Sequence, residues 1–436
     1  MTDEQVLTAV GAQQAWMEDL LVRLVEAPTT LGDEDPGQAV MAAAFADCGL
    51  QPVDVPLDGD ALRAAEGSSP FSWEVAGKRD VVATWEPAER DPASRSLILN
   101  GHVDVVPPAA AHLWSSPPFT ARRDGDWLYG RGAGDMKAGL VAMTGAVRAL
   151  RGLGLELGAP VQLQSVVEEE CTGNGALMTL LAGHTADACV ITEPHPDHIT
   201  IAQVGVLWFH VDVEGLPAHA AYADRAGFNA IDAANAVLDA LRALERELNA
   251  DPPAPYDTFA HPINLNPGIV SGGDWTSTVA ASATLSCRLA CFPGDHPRDL
   301  QRRVEDTVAR AAASDPRVAG GSVRVRYDGF ACEGSIVPGD DPVVVALSRA
   351  YEGLHGVKPD LVPTTATTDA RHFVRHGVPA ICFGPRGERI HGIDERVSLR
   401  SILETAQVLA VFVRDWSGVQ VKGHERENIS DVFTRS

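Results

Sequence analysis

The chain alternates short apolar runs with segments of helical periodicity, and this alternation most constrains its fold. Runs and helical segments follow one another at residues 81–85, 97–100, 139–150, 161–167, 175–181 and 189–192. Such a pattern is typical of α/β folds, in which helices flank a central sheet. Ahead of it, apolar residues at helical spacing from Leu7 to Leu24 predict one amphipathic helix. We therefore predict an α/β domain with a central mixed sheet.

The pattern changes after Gly205 and returns near Ser335. Between them, strand-like and helical segments follow in the order β-α-β-β-α-β, with the helical runs at residues 229–248 and 300–313. This order predicts a small ferredoxin-like α+β domain at residues 206–330. It would be inserted into the larger domain, which residues 1–205 and 331–436 would form.

Composition and charge exclude several classes of partner. The 436 residues carry a formal net charge of -24, which would repel a phosphate backbone, so we expect no nucleic acid partner. No apolar stretch reaches the roughly 18 residues of a membrane span, and the N-terminus lacks the basic start of a signal peptide. We expect a soluble cytoplasmic protein without a membrane partner.

Its seven cysteines, which include no CxxC pair, are expected to be reduced core residues. The polar tail from about Gly418 suggests no role.

Residues of metal-ligand type follow four of the apolar runs. They are His102 after residues 97–100, Glu168 to Glu170 after 161–167, Glu193 after 189–192 and His391 after 380–383. Ligands bind beyond the carboxyl ends of strands in open α/β sheets, so these side chains should meet in one crevice. Asp135 joins them from a glycine-rich loop, residues 130–137, which opens a helix.

Three carboxylates and two imidazoles exceed what one tetrahedral zinc with an open position needs, but they fit two metals that share a carboxylate. Asp135 is the natural bridge. Glu170 can then bind metal, while Glu169 takes the proton from a metal-bound water and passes it to the leaving amine. Asp104, two residues after His102, is predicted to accept the second ring N–H and fix the tautomer.

These segments also resemble a known family. LILNGHVDVVPP, YGRGAGDMKAG, SVVEEECTGNG, ITEP and the late His391 are similar to the acetylornithine deacetylase, succinyl-diaminopimelate desuccinylase, aminoacylase and carboxypeptidase G2 superfamily of metallopeptidases. The resemblance implies that His102 and Glu193 hold one metal, Glu170 and His391 the other, and Asp135 both. Zinc is the usual metal, with cobalt or manganese possible. A cis peptide bond between Asp135 and Met136 is also implied.

The inserted domain resembles the same family. GLPAHAAYADRAGFNAI is similar to the motif of the family's lid domain, whose histidine, His219 here, reaches the partner subunit's active site and stabilises the oxyanion. This implies a homodimer joined through the lids. Arg288 resembles the arginine that clamps a substrate carboxylate, and Arg371, near the predicted crevice, is a second candidate. The chain departs from the family where Asp274 and Trp275 follow Gly273, since many relatives carry an asparagine shortly after the paired glycines.

Each assignment has a simpler alternative. The acidic triplet could be a solvated surface, Asp104 a turn cap, His219 a lid-surface residue and Arg288 a partner in a surface salt bridge. His372 could compete with His391 as ligand. We favour His391 because it follows a strand and a Gly-Pro turn, and because the segment ending at Glu395 resembles the family's closing motif.

The leading hypothesis is a two-metal amidohydrolase that removes the acyl group from an N-acyl amino acid, in the manner of a deacetylase or aminoacylase. A dipeptidase or carboxypeptidase, or a deformylase of a small amine, could use the same site. A catalytically dead binding protein would be marked by a lost ligand or base, and every such position is intact.

Overall fold

The computed structural model describes residues 1–195 and 197–418, together with the backbone of 420 and 421. Its first part supplies nine strands and six helices. The strands are β1 (Pro52–Pro56), β2 (Arg79–Trp85), β3 (Leu97–His102), β4 (Arg122–Asp124), β5 (Trp127–Tyr129), β6 (Leu155–Glu156), β7 (Val161–Val166), β8 (Cys189–Ile191) and β9 (His198–Gln203). The helices are α1 (Asp3–Gly11), α2 (Gln14–Glu26), α3 (Asp35–Asp47), α4 (Gly59–Ala64), α5 (Ala138–Gly152) and α6 (Asn174–Leu181).

The middle part forms the predicted α+β unit. Its elements are β10 (Gly205–Glu214), α7 (Ala230–Leu248), β11 (Leu265–Gly272), β12 (Ser282–Cys291), α8 (Pro297–Ser314), β13 (Ser322–Arg326) and β14 (Ala331–Cys332). The remainder returns to the larger unit with β15 (Ser335–Ile336), α9 (Pro342–His355), β16 (Asp360–Thr364), α10 (Ala370–Arg375), β17 (Ala380–Cys382), β18 (Gly387–Glu388), β19 (Arg396–Ser398), α11 (Leu399–Trp416) and β20 (Gln420–Val421).

The large sheet has the order β1-β2-β7-β3-β8-β17-β9-β15, and β16 also pairs with β9. At its centre, β3 runs parallel to both β7 and β8, and β17 runs parallel to β8. The outer strands β1 and β2 pair antiparallel, as do β2 and β7. The predicted mixed sheet is thus confirmed. Because the central strands are parallel, their carboxyl ends lie at one edge.

The inserted unit is an antiparallel sheet of order β11-β12-β10-β13, with β14 added beside β10. Its chain order β-α-β-β-α-β and this strand order give the ferredoxin-like arrangement that the sequence predicted. Buried apolar side chains between Val204 and Cys332 form a core separate from that of the large sheet. The exact boundaries at 205 and 330 stay predictions, and the polar tail lies almost wholly outside the described residues.

One prediction about the N-terminus was wrong. The single helix expected from Leu7 to Leu24 is two helices, with a break between Gly11 and Gln14. Glycine is a poor helix former, and the break lets α1 pack on α5 and α11 while α2 packs on α3 and α5. A single straight helix could not make both sets of contacts.

Two further observations concern composition. All seven cysteines are buried and none is in a disulfide bond, as predicted. Over the residues with described positions, no helix combines the length and apolarity that crossing a bilayer requires.

The buried face of α11 generates a stability prediction. Phe412 is fully buried in the large core, so we expect Phe412→Ala to destabilise the protein by about 3–5 kcal/mol through lost burial and a residual cavity. Val53→Ala is the control, because Val53 is 54% exposed and its truncation should change stability little. Urea denaturation followed by circular dichroism measures both. Equal effects of the two substitutions would contradict this packing.

Candidate active site

The central strands deliver three ligand-type segments to one edge of the large sheet. His102 is the last residue of β3, the acidic triplet follows β7, and Glu193 comes two residues after β8. Since β3 lies between β7 and β8 and is parallel to both, these ends are neighbours. Gly139, in the first turn of α5, allows this helix to come close, because a Cβ there would lie 1.9 Å from the carbonyl oxygen of Thr192. The site is therefore built where the sequence placed it.

Asp135 reaches the same place from the glycine-rich loop, which Glu395 holds. The buried Glu395 carboxylate accepts hydrogen bonds from the backbone N–H groups of Gly132 (3.1 Å), Gly134 (2.9 Å) and Asp135 (3.0 Å). It also pairs with the buried guanidinium of Arg131. The Asp135–Met136 peptide bond is cis, as the family resemblance implied. Glu395 entered the sequence analysis only as the end of a motif, and its anchoring role became visible only in the fold.

Lys137 fixes the other end of this loop. Its ammonium group is buried and donates to the carbonyl oxygens of Leu24 (2.8 Å) and Ala27 (3.0 Å), at the end of α2. Burial lowers the pKa of Lys137 to about 7. The loop is thus tied to two distant parts of the chain on either side of Asp135.

The carboxylate of Asp135 faces two imidazoles. Its Oδ1 lies 3.2 Å from His102 Nε2, and its Oδ2 lies 3.3 Å from His391 Nε2. His391 Nε2 also lies 3.1 Å from Glu170, and His102 Nε2 lies 3.6 Å from Glu193. Both imidazoles therefore face Asp135, and beside it His391 has Glu170 while His102 has Glu193 and, at 3.8 Å, Glu169.

This arrangement fits divalent metal ions. Ligand atoms of His102, Asp135 and Glu170 lie within 4.8 Å of one another, as do those of His102, Glu169 and Glu193. His391 is outside these two groups but contacts Asp135 and Glu170 directly. Imidazole nitrogen and carboxylate oxygen are the donors that zinc and similar ions take. Glu169 Oε1 is buried without a hydrogen-bond partner among the described atoms, so this oxygen is free for a proton or a ligand.

The electrostatics of the cluster show an excess of buried negative charge. Burial raises the pKa of the Glu169 carboxyl well above its usual value, and burial together with Asp135 does the same for Glu193. Burial alone would lower the pKa of His391, but Glu170 and Asp135 raise it to about 11. Burial alone would raise the pKa of Asp135, but the two imidazoles lower it below its usual value. Carboxylates crowded in this way favour cations between them.

Asp104 acts through different atoms from those predicted. His102 Nδ1 donates to the backbone carbonyl of Asp104 at 2.8 Å, whereas the carboxylate Oδ1 lies 3.6 Å away, too far for a good hydrogen bond. The carboxylate instead accepts the backbone N–H groups of Glu169 (3.3 Å) and Glu170 (3.1 Å). The tautomer of His102 is still fixed by residue 104, and the side chain is left to hold the acidic triplet.

His219 and Arg288 both belong to the inserted unit. His219 is exposed, and its recorded partners, Ala221 N–H at 3.0 Å and the ring of Tyr222, lie outside the carboxylate and histidine cluster. Arg288 is half-buried on β12 and donates to the Thr365 carbonyl at 3.3 Å. No carboxylate within the described ranges forms a salt bridge with Arg288, so the alternative of a surface ion pair is not what the structure has.

Arg371 and His372 are buried parts of the framework. Arg371 donates to the carbonyl oxygens of Thr172 (3.0 Å) and Thr368 and lies 3.9 Å from Asp369. Its two terminal nitrogens are therefore engaged, while its buried Nε has no hydrogen-bond partner among the described atoms. His372 is 2% exposed, burial lowers its pKa well below the usual value, and among the described residues it forms no ion pair with a carboxylate, whereas His391 contacts both Asp135 and Glu170. The geometry favours His391 over His372.

The acidic triplet is not a solvated surface. Glu168 is fully buried and Glu169 is 5% exposed. Sequence reasoning missed why: Lys78, from the start of β2, lies 2.8 Å from Glu168 and 2.8 Å from Glu34. An isolated lysine among polar residues gave no indication of this contact.

Comparison with known proteins agrees with this architecture. The profile of Peptidase family M20/M25/M40 matches residues 98–415. The chain is 30% identical over 339 residues to succinyl-diaminopimelate desuccinylase of Caulobacter vibrioides. The aligned region covers 75% of this chain and 83% of that protein. It is 26% identical over 342 residues to N-formyl-4-amino-5-aminomethyl-2-methylpyrimidine deformylase of Halalkalibacterium halodurans, across 74% of this chain and 79% of that protein.

Solved structures share the fold at lower identity. The dipeptidase Dug1p of Saccharomyces cerevisiae superposes with a TM-score of 0.75 at 15% identity, covering 95% of this chain and 98% of that one. Human carnosine dipeptidase 1 gives a TM-score of 0.73 at 16% identity, covering 95% and 100%. The two-unit architecture is therefore that of known hydrolases.

The contacts of His391 generate a metal-content prediction. We expect His391→Ala to lower zinc content from about two ions per chain to about one, because it removes the imidazole that faces Asp135 and Glu170. His372→Ala is the matched control and should retain both ions. Mass spectrometry of metal content after dialysis measures this. Full zinc content in His391→Ala with a loss in His372→Ala would make His372 the ligand.

Proposed function

Because the chain belongs to Peptidase family M20/M25/M40, we propose that it is a two-metal hydrolase that cleaves the amide bond of an N-acyl amino acid. One observation carries the proposal. The Asp135 carboxylate faces two imidazoles, and Glu169, whose Oε2 lies 3.8 Å from His102 Nε2, has a buried Oε1 without a hydrogen-bond partner among the described atoms. This is the arrangement that a bridged metal pair with an adjacent base requires.

In this proposal His102 and Glu193 hold one ion, Glu170 and His391 hold the other, and Asp135 bridges them. Zinc suits these donors, and cobalt or manganese could replace it. When bound, the ions would polarise the amide carbonyl and lower the pKa of water. The backbone carbonyl of Asp104 keeps His102 Nε2 directed at Asp135, because it accepts the other ring N–H.

Glu169 would be the general base. It lies next to the proposed ligand Glu170, its Oε2 is 3.8 Å from His102 Nε2, and its Oε1 has no hydrogen-bond partner. It would take a proton from the attacking water and deliver that proton to the leaving nitrogen, which departs as an amine. Its burial excludes bulk water that would otherwise compete for this proton.

Arg288 supports a substrate with a carboxylate. Its guanidinium is half-buried and binds one carbonyl oxygen, which leaves donors of its planar fork for a ligand. An N-acyl amino acid, or a peptide with a free C-terminus, would supply the carboxylate. A formylated heterocyclic amine of the kind named for the Halalkalibacterium halodurans relative would not. A dipeptidase or carboxypeptidase activity is the second candidate, since such substrates satisfy the same arginine.

We also propose a homodimer through the inserted unit, which would act as a lid. β11 is an edge strand of its sheet and carries exposed apolar residues: Ile269 (66% exposed) and Val270 (71%). In the same unit Trp275, three residues beyond β11, is 72% exposed, and Leu216 is 60% exposed. A long exposed apolar edge favours pairing with a second copy. The exposed His219 would then reach the partner's site to stabilise the oxyanion.

The proposed base generates an activity prediction. Wild-type enzyme loaded with zinc, cobalt or manganese should hydrolyse members of a panel of N-acyl amino acids and dipeptides. Glu169→Ala should keep its metal yet lose roughly 100-fold or more in kcat, because general base catalysis contributes that much. Glu86→Ala, at an exposed position, is the control and should match the wild type. Retained activity in Glu169→Ala would remove Glu169 from this role.

The dimer generates a complementation prediction. Co-expression of His219→Ala with Glu169→Ala should recover about a quarter of wild-type activity, because half of randomly paired dimers contain one intact shared site. Adding Val270→Asp to both chains should abolish the recovery by placing a charge on the edge strand. Val357→Asp, at a position exposed to 60%, should not. If the co-expressed pair stays inactive, His219 does not act across subunits.

A further inference from the structure

We propose that Glu168, the first residue of the acidic triplet, is a positioning residue that sets the directions of Glu169 and Glu170. The inference rests on the proposed function, in which Glu169 is the base and Glu170 a metal ligand. Glu168 itself has no recorded contact with His102, Asp135 or His391 among its side-chain hydrogen bonds. Its role would be to hold the backbone from which the two working side chains project.

Both carboxylate oxygens of Glu168 are fixed. Oε1 accepts hydrogen bonds from Lys78 Nζ and from Trp73 Nε1, each at 2.8 Å, and Oε2 accepts one from Thr172 Oγ1 at 2.9 Å. The side chain is fully buried. A carboxylate bound by one cation and two neutral donors in a buried position has little freedom to move.

The backbone at Glu168 explains why this fixation matters. Its φ is +64°, in the left-handed region that residues other than glycine seldom adopt. Its carbonyl oxygen accepts the N–H groups of Thr172 (2.9 Å) and Gly173 (2.7 Å), which close the turn between β7 and α6. The three side-chain contacts therefore hold this residue in a conformation that it would otherwise leave readily.

The neighbouring backbone has separate anchors. Asp80 Oδ1 accepts the N–H of Val167 at 3.0 Å, and the Asp104 carboxylate accepts those of Glu169 and Glu170. These contacts do not involve the Glu168 side chain. Its loss should thus loosen the direction of Glu169 and Glu170 without releasing the turn. A misplaced base lowers kcat, whereas substrate affinity, which depends on other residues, changes little.

Lys78 is the cation on which the arrangement depends. Its side chain is 9% exposed and lies between Glu168 and Glu34, which is 3% exposed. Without Lys78 these two carboxylates would be buried and unpaired, a strongly unfavourable state. Substitution of Lys78 would therefore change folding stability as well as the position of Glu168. The variants that test the inference are for this reason made at Glu168 and Trp73.

The decisive comparison is Glu168→Leu with Glu168→Gln. Leucine removes every hydrogen bond, and we expect kcat to fall about 100-fold at saturating cobalt, with KM changed by less than about threefold. Glutamine keeps the shape and the acceptor for Lys78 and Trp73, and should retain kcat within about fivefold.

Calorimetric titration with cobalt measures metal binding independently of activity. Glu168→Leu should weaken one of two binding events by about tenfold, since Glu170 loses its orientation.

Two further variants separate positioning from stability. Trp73→Phe removes one donor to Glu168 and should lower kcat by about tenfold with normal KM. If Glu168→Leu does not fold, this variant tests the inference in its place. Glu245→Leu removes a comparably buried carboxylate in α7, remote in sequence from the acidic triplet. The Glu245 carboxylate accepts hydrogen bonds from the Arg242 guanidinium and from the backbone N–H of Leu265. Glu245→Leu should lower the melting temperature without changing kcat.

Normal kcat and normal cobalt binding in Trp73→Phe, or in folded Glu168→Leu, would overturn the inference. So would a fall in kcat of equal size in Glu245→Leu, because the effect would then follow stability alone. Absence of metal-dependent hydrolysis by the wild type on the whole panel is a different result. It would contradict the proposed function before any variant is compared.

Discussion

Mutual repulsion among buried carboxylates is the constraint on which the site depends. Asp135, Glu169, Glu170 and Glu193 lie together with two imidazoles at one edge of the sheet, where Glu169 and Glu193 are buried and the His391 side chain is 50% exposed. Such a cluster is unfavourable unless protons or cations enter it, and burial makes the penalty larger. A pair of divalent ions bound among these carboxylates would offset their repulsion. Within this cluster one oxygen of Glu169 has no hydrogen-bond partner among the described atoms and is available for a proton.

A surrounding framework holds these groups in place, mostly through backbone N–H groups. Glu395 binds three amides of the loop that carries Asp135, and Asp104 binds the amides of Glu169 and Glu170. Arg131 and Lys78 compensate the charges of Glu395 and Glu168. Each anchor comes from a segment remote in sequence. Precise placement of a catalytic cluster needs such support, because a displacement of about 1 Å can cost two orders of magnitude in rate.

In the proposed function, the inserted unit would contribute to specificity more than to chemistry within one chain. Arg288 extends from its sheet to the larger unit at Thr365, while His219 stays exposed and pairs with Thr278 in an isolated β-bridge. A carboxylate clamp on one unit and the metal cluster on the other would fix a substrate by its two ends. With this division, the distance between the units would help to determine which acyl amino acids or peptides are accepted.

The sequence alone determined the α/β class, the inserted β-α-β-β-α-β unit and the meeting of His102, Glu193 and the acidic triplet, because parallel strand ends share one edge. It did not determine how the triplet is held, which atoms of Asp104 act, or where the N-terminal helix breaks. Lys78, Glu395 and Arg371 took their roles only in the tertiary structure. Lys78 and Glu395 bind partners separated from them by long stretches of chain, as Arg371 does at Thr172. Periodicity and motif spacing carry information about local neighbours, not about contacts that packing alone creates.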